Sequence, residues 1–235
     1  LCDSEAVLDC IERAGIPAVV VACGSPAENV GAVSIDDYEA AHFMTRHLIT
    51  LGHQRIGFVV GHPNQTASAR RLAGYRAAIG EKGADASEEL VVQGMFTYRS
   101  GLDAAEHLLA LEDRPTAIFA SNDDMAAAAV AVAHRLGLDV PGDLTVTGFD
   151  DTALATTIWP ELTTVRQPIA GMAREAVQSL VRRVRAQREG EAGEPELTRM
   201  DFELVRRQSD AAPRIRPPAR LPAVAKTKGK ASYAS

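Results

Sequence analysis

The chain has 235 residues, of which 46% are apolar and 24% charged, enough to bury the core of one large α/β domain or of two small lobes. It contains no run close to the roughly 18 uninterrupted apolar residues of a membrane span, and its three cysteines (Cys2, Cys10 and Cys23) argue against a disulfide framework and for a reducing compartment. The net charge of −6 is uneven: residues 211–235 hold six basic residues and no acids, which leaves −12 on residues 1–210, a poor surface for nucleic acid.

Helix and strand patterns alternate along the chain. Apolar residues at helical spacing predict a first helix capped by Ser4 and ended by Gly15, and further helices over residues 38–51, 67–82, 98–111, 125–136 and 168–188. Apolar runs predict strands over residues 16–21, 30–35, 55–61, 90–93, 117–120, 144–147 and 196–207. The inward face of the last helix is predicted to consist of Met172, Val177, Leu180, Val181 and Val184. This order indicates an α/β fold with parallel sheets, followed by a disordered basic tail over residues 210–235.

The strongest local pattern runs from Thr116 to Asp151 and reads as strand, helix, strand. The helix between the two strands is Ala-rich and apolar almost all round, which predicts that it is buried, and Asn122 or Asp123 occupies its N-cap. The second strand ends at Asp150 and Asp151. Because parallel sheets bind ligands at the carboxyl ends of their strands, these polar tips are expected to face one crevice.

The polar groups at the predicted strand ends suit a neutral polyhydroxylated ligand. They are Asp36, Asp37, residues 62–66, Phe96, Asn122, Asp123, Asp150 and Asp151, with Arg71 one turn inside its helix. Carboxylates accept hydrogen bonds from hydroxyl groups, Arg and Asn donate to oxygens, and an aromatic ring covers the CH-rich face of a sugar. Structural roles stay open at this point: Asp123 could counter the helix dipole, Phe96 could belong to the core, and Arg71 could pair with an acid.

Other chemistries have weaker support in the sequence. It contains no GxGxxG or GxxxxGK[ST] motif for nucleotide phosphates, no GxSxG nucleophile motif, and no EF-hand or HxxxH spacing, and the six histidines are scattered. We therefore expect no cofactor, no metal and no catalytic residues, and a protein that is not an enzyme.

Six motifs in order closely resemble the effector-binding core of the lactose/galactose repressor (LacI/GalR) family of bacterial transcription regulators. They are LITLGHQRIGFVVG (48–61), SARRLAGY (68–75), AIFASNDDMA (117–126), GLDVPGDLTVTGFDD (137–151), PELTTVRQP (160–168) and LVRRQS (204–209). The resemblance covers nearly all of residues 1–209. It implies a type I periplasmic-binding-protein-like fold, in which two Rossmann-like lobes with parallel sheets are joined by three crossovers and hold a small molecule in the cleft.

The resemblance also implies roles for single residues. Arg71 matches the arginine that contacts the effector, Asn122 the asparagine of the cleft, and Asp150 the aspartate of the cleft. Phe96 falls at the aromatic position that stacks on the ligand, and Gln167 at a crossover position that can reach it. We predict a ligand site formed by Arg71, Phe96, Asn122, Asp150 and Gln167 together with Asp36. Ala22 stands where some sugar-binding relatives have an aspartate, so no specific sugar is predicted.

The family also has an operator-binding helix-turn-helix domain, which residues 1–235 do not contain, and the start of the first lobe is expected to be missing. We predict a partial first lobe over residues 1–35 and 166–192, and a second lobe over 36–165 and 193–209. The resemblance implies a cytoplasmic, homodimeric regulator without a membrane partner, whose operator DNA is contacted through the helix-turn-helix domain. A sugar-binding protein of an ABC transporter, which shares the fold, is the alternative.

Overall fold

The computed structural model describes residues 5–22, 30–190 and 195–214. The helices are α1 (Glu5–Ala14), α2 (Asp37–Thr50), α3 (Thr66–Lys82), α4 (Tyr98–Leu109), α5 (Asp123–Arg135), α6 (Leu154–Thr157) and α7 (Ile169–Arg188), with a 3-10 turn at Glu88–Leu90. The strands are β1 (Val19–Val21), β2 (Gly31–Ser34), β3 (Ile56–Val60), β4 (Val91–Gln93), β5 (Ala117–Ala120), β6 (Thr145–Thr147), β7 (Thr164–Arg166), β8 (Leu197–Arg199) and β9 (Glu203–Val205). The predicted Ser4 cap, Cys2, Cys23 and most of the predicted tail lie outside the described residues. Cys10 is a free, exposed thiol.

Two parallel sheets confirm the predicted α/β class. The first has the order β1-β2-β8 and the second the order β4-β3-β5-β6, and every pairing within them is parallel. A short antiparallel ribbon, β7 with β9, lies beside them. None of the helices within the described ranges combines the length and the apolar character that crossing a bilayer requires.

The second sheet is buried between helices on both faces. Strands β3 and β5 are buried at every position, as their continuous apolar sequence predicts. Along β3 the side chains alternate: Phe58 packs with residues of α2 and α3, whereas Val59 packs with residues of α4 and α5. The predicted burial of the Ala-rich helix is also confirmed, because α5 is buried at nearly all positions up to Ala133.

The segment predicted as a single strand over residues 196–207 is in fact two strands. β8 extends the first sheet by pairing with β2, and the Met200 amide closes that ladder on the Ser34 carbonyl at 2.9 Å. The chain then leaves the sheet and returns as β9 against β7. Strands β8 and β9, which the sequence assigns together to the second lobe, therefore pair with different partners. The division into lobes stays a prediction.

Helix α7 turns a narrower face inward than its sequence predicts. Met172 is fully buried, as expected, and the other buried positions are Ala176 and Ser179. Val177 and Val181, expected to face inward, are 61% and 43% exposed. Helix α7 contacts β1 and β2 of the first sheet, and its buried positions form the stripe that faces these strands.

Candidate functional site

The candidate site lies where the strands of the second sheet end. β3 is followed by Gly61, β4 by the segment that reaches Phe96, β5 by Asn122, and β6 by Asp150. The start of α2, which follows β2 of the first sheet, reaches the same place through Asp37. The predicted convergence of polar strand ends is thus present in the structure.

Arg71 of α3 is the centre of this cluster, and its side chain is only 6% exposed. Its Nε donates to Asp37 Oδ1 at 2.7 Å, its Nη1 donates to the Ser121 carbonyl at 2.5 Å, and its Nη2 lies 3.9 Å from Asp150 Oδ1. The guanidinium sits 3.6 Å from the ring centroid of Phe149 and 5.8 Å from that of Phe96. A buried arginine requires such partners, because an unpaired charge away from water is strongly destabilising.

Asp150 and Gln167 meet just beyond the ends of β6 and β7. Gln167 Nε2 donates to Asp150 Oδ1 at 2.7 Å, and the Asp150 amide donates to the Val165 carbonyl at 2.8 Å. Burial raises the pKa of the Asp150 carboxyl, although Arg71 and Gln167 act in the opposite direction. The side chain nevertheless keeps 28% of its surface exposed, so a molecule entering the crevice can reach it.

Asn122 and Phe96 form a second contact of the site. Asn122 is the N-cap of α5: its Oδ1 accepts from the Met125 amide at 3.0 Å, while its Nδ2 donates to the Phe96 carbonyl at 3.0 Å. The half-buried Phe96 ring lies so close to Gly61 that any side chain at that position would overlap it. Part of the ring also packs against the core formed by α4 and α5. Phe96 therefore has the structural role considered above as well as a position in the site.

The structure does not link Asp36 to this cluster. Its Oδ1 caps α2 by accepting from the amides of Tyr38 and Glu39, and its two oxygens also pair with Arg70 and Arg199, both at 2.9 Å. Burial alone would raise the pKa of Asp36, but these hydrogen bonds and charges outweigh it and lower the pKa. The neighbouring Asp37 is the residue that reaches Arg71.

Three buried residues of the site, Asp37, Phe149 and Asp123, are missing from the predicted ligand set. Asp37 and Asp123 appear in the sequence analysis only as polar groups at strand ends, and Phe149 does not appear there. The carboxylate of Asp123 is fully buried and accepts from the Thr152 amide at 2.7 Å, the Thr152 hydroxyl at 3.1 Å and the Thr164 hydroxyl at 2.7 Å. Burial raises its pKa from 3.8 to about 6, with a further contribution from the nearby Asp150 charge, while the three hydrogen bonds act against the rise. Its sequence signal is the second position of the Asn122-Asp123-Asp124 tip.

The raised pKa of Asp123 gives a test of stability against pH. Between pH 4 and 6 the folded protein holds this proton more tightly than the unfolded chain, so its stabilising contribution is complete below pH 4 and is lost as the pH rises through 6. Asp123→Asn removes this dependence. Urea unfolding from pH 4.5 to 7.5 should show the variant gaining about 2 kcal/mol relative to the wild type, at about 1.36 kcal/mol per pKa unit. Asp124→Asn, in the same helical turn, is the matched control. Parallel pH curves for Asp123→Asn and the wild type would contradict the buried-carboxyl assignment.

Comparison with known proteins places this geometry in a family. Residues 45–209 match the family described as "Periplasmic binding protein-like domain". Over 186 residues the chain is 38% identical to the HTH-type transcriptional regulator DegA of Bacillus subtilis, covering 79% of this chain and 55% of DegA. The chain spans about half the length of the curated relatives it matches.

Solved structures show the same relationship. A complex of the transcriptional regulator CelR with cellobiose superposes with a TM-score of 0.82 at 35% identity, over 89% of this chain and 64% of that one. A LacI family transcriptional regulator from Mycobacterium smegmatis superposes with a TM-score of 0.78 at 30% identity, over 88% of this chain and 74% of that one. These relatives are named as regulators of transcription. The chain therefore belongs to the periplasmic binding protein-like domain family, within the branch formed by the LacI-type transcriptional regulators.

Proposed function

We propose that this chain is the effector-binding core of a LacI-type regulator and that its crevice binds a small neutral polyhydroxylated molecule, a sugar or a nucleoside. The observation that carries the proposal is the charge arrangement around Arg71. Two carboxylates, Asp37 and Asp150, face this one guanidinium, and Asp150 is still open to the crevice.

The charges around Arg71 support a ligand without negative charge. Of the five N–H donors of the guanidinium, Nε donates to Asp37 and one Nη1 donor to the Ser121 carbonyl, whereas Nη2 lies 3.9 Å from Asp150 Oδ1, beyond hydrogen-bond distance. Donors therefore remain for a ligand. A phosphate or carboxylate ligand at these donors would also meet the carboxylates of Asp37 and Asp150, whereas a hydroxyl group accepts from the same donors without that repulsion.

The remaining groups suit a sugar or a nucleoside equally. Asp150 accepts from hydroxyl groups, Gln167 and Asn122 carry amides, and the half-buried Phe96 offers an aromatic ring to a sugar face or a base. That a relative 35% identical to this chain was solved with cellobiose is consistent with the sugar class.

Titration calorimetry with a panel of compounds tests the proposal. Cellobiose, D-ribose, adenosine and uridine represent the expected class, while glucose 6-phosphate and succinate represent anions. We expect binding by at least one neutral member and none by the anions, with the same result in the presence of EDTA. Binding by the anions alone would overturn the proposed ligand class.

Asp150→Asn should weaken binding of the neutral ligand by roughly 5- to 15-fold, because a hydrogen bond to a charged group contributes about 1.5–3 kcal/mol and the neutral amide of Asn keeps about 0.5–1.5 kcal/mol of it. Asn is the informative replacement, since Asp150 has a φ of +107° and Asn tolerates positive φ better than Ala does. The fold should survive, because the side chain is partly exposed. Asp103→Ala, which removes an exposed acid of α4, is the matched control. Unchanged affinity in Asp150→Asn would show that the site is assigned wrongly.

Within this proposal, the intact regulator works in the cytoplasm as a homodimer. It contacts operator DNA through a helix-turn-helix domain outside residues 1–235, and the effector bound in the crevice alters that contact.

A further inference from the structure

Asp123 connects the two segments that carry the facing groups of the crevice. Its Oδ2 accepts from the amide and the hydroxyl of Thr152, two residues after Asp150. Its Oδ1 accepts from the hydroxyl of Thr164, three residues before Gln167. Since Gln167 donates to Asp150 at 2.7 Å, the contacts form a closed ring through Asp123, Thr152, Asp150, Gln167 and Thr164.

The loop on one side of this ring has a backbone that needs support. Asp150 and Asp151 are consecutive non-glycine residues with φ of +107° and +55°. Such conformations are unfavourable for residues with a Cβ and persist where the surroundings hold them. The Thr152 contacts of Asp123 hold the loop from one end, and the bond from the Asp150 amide to the Val165 carbonyl holds it from the other.

We propose that Asp123 is a positioning residue of the crevice: its carboxylate fixes the loop of Asp150 relative to the strand that leads to Gln167, so that these two side chains face each other at hydrogen-bond distance. This inference rests on the proposed ligand site. Asp123 itself is fully buried. In this proposal it acts through Asp150 and Gln167 and not by contact with the ligand.

The surroundings of Asp123 explain why a carboxylate occupies this position. A side chain at Gly148 would overlap Asp123 Oδ1, so the two backbones approach each other as closely as glycine permits. Burying a carboxylate is unfavourable unless donors surround it, and here three donors arrive from two different segments. An apolar side chain would fill the space but would form no hydrogen bond to Thr152 or Thr164.

The charged groups on the surrounding elements are few. The loop contributes Asp150 and Asp151, α5 contributes Asp124, β7 contributes Arg166, and Arg71 lies beyond Asp150. The charge of Asp151 is matched by Arg166 and Arg207, both at 2.6 Å. The charge of Asp150 contributes to the raised pKa of Asp123, so we expect protonation of Asp123 to be coupled to the state of the ligand site.

A first experiment needs no ligand. In amide NMR spectra of the whole chain from pH 4.5 to 8, the Thr152, Asp150 and Gln167 resonances should shift together with a midpoint near pH 6. The shared step should vanish in Asp123→Asn and persist in Asp124→Asn. A step that persists in Asp123→Asn would belong to Asp150 itself and would overturn the inference, as would a Thr152 step that Asp150 and Gln167 do not follow.

A second experiment measures binding of cellobiose, or of D-ribose should cellobiose not bind. Asp123→Ala should lower the affinity at least tenfold. Asp123→Asn should recover most of the loss, because its amide oxygen can accept from Thr152 while its NH₂ donates to the Thr164 hydroxyl, and it should flatten the pH profile of binding around pH 6. If Asp123→Ala does not fold, Thr164→Val is the second variant. It removes the hydrogen bond from the Thr164 hydroxyl to Asp123 and should also weaken binding.

The two proposals can fail separately. If no compound of the panel binds the wild type, the proposed ligand class fails and the NMR titration alone decides the role of Asp123. If the wild type binds and a folded Asp123→Ala binds equally well, the ligand site stands and the positioning role is refuted.

Discussion

Arg71→Met is expected to lower the free energy of unfolding by about 3–5 kcal/mol, the effect of removing one partner from a buried ion pair. The guanidinium it removes is the partner of the buried Asp37, the donor to the Ser121 carbonyl and the neighbour of the Phe149 ring. Methionine fills much of the volume but leaves the Asp37 carboxylate buried without its counter-charge.

Urea unfolding of matched variants isolates this effect. Arg70→Met is the control, because Arg70 is the adjacent residue of α3 and also pairs with an aspartate, yet its side chain is 40% exposed. Exposed pairs contribute about 0–1 kcal/mol, so this variant should stay close to the wild type. The double variant Asp37→Asn with Arg71→Met should recover part of the loss, since no unpaired charge remains. Equal losses in the two single arginine variants would show that burial of the Arg71 pair is not what matters.

Gly74→Ala is expected to destabilise the protein by about 3 kcal/mol, near the upper end of the range for overpacked cores. Helices α2 and α3 touch through their backbones at this point. A Cβ on Gly74 would overlap the Tyr38 carbonyl oxygen and lie 2.9 Å from the His42 amide nitrogen, and neither backbone atom can rotate away.

Gly80→Ala, six residues along α3, provides the matched comparison. Nothing lies within 4 Å of a Cβ at Gly80, so alanine should stabilise the helix there by roughly 0.5–1 kcal/mol. Thermal unfolding of the two variants should therefore move in opposite directions from the wild type. If Gly74→Ala unfolded at the same temperature as the wild type, helices α2 and α3 could move apart at this contact without a loss of stability.

The elements of the second sheet could be predicted because each carries its own local signal. Strands β3 and β5 are short apolar runs between helices, and α5 is apolar on every side. The first sheet and the buried face of α7 were harder to predict. The width of that face depends on how many strands pack against the helix, which the helix sequence does not specify. The division of residues 196–207 depends on a backbone bond to Ser34, far away in the chain.

The site could be predicted at the level of strand ends but not of single carboxylates. Asp36 and Asp37 are adjacent, and only the start of α2 decides between them: Asp36 becomes the N-cap and faces its own helix, which leaves Asp37 for Arg71. At the end of β5 the same rule makes Asn122 the cap, and the side chain of Asp123 is buried. The residue pattern alone does not decide which of two adjacent polar residues becomes the N-cap. That depends on which backbone amides at the start of the helix lack hydrogen-bond partners.

The bond between Gln167 and Asp150 has a chemical consequence for any molecule that separates the two side chains. Its arrival leaves one amide donor and one carboxylate acceptor to be satisfied, and buried polar groups left without partners are unfavourable. A hydroxyl group can accept from Gln167 and donate to Asp150 through the same oxygen atom. A carboxylate or a fully ionised phosphate satisfies only the amide, and an ammonium group satisfies only the aspartate. The pair thus selects for an atom that is donor and acceptor at once, whatever the remainder of the molecule is.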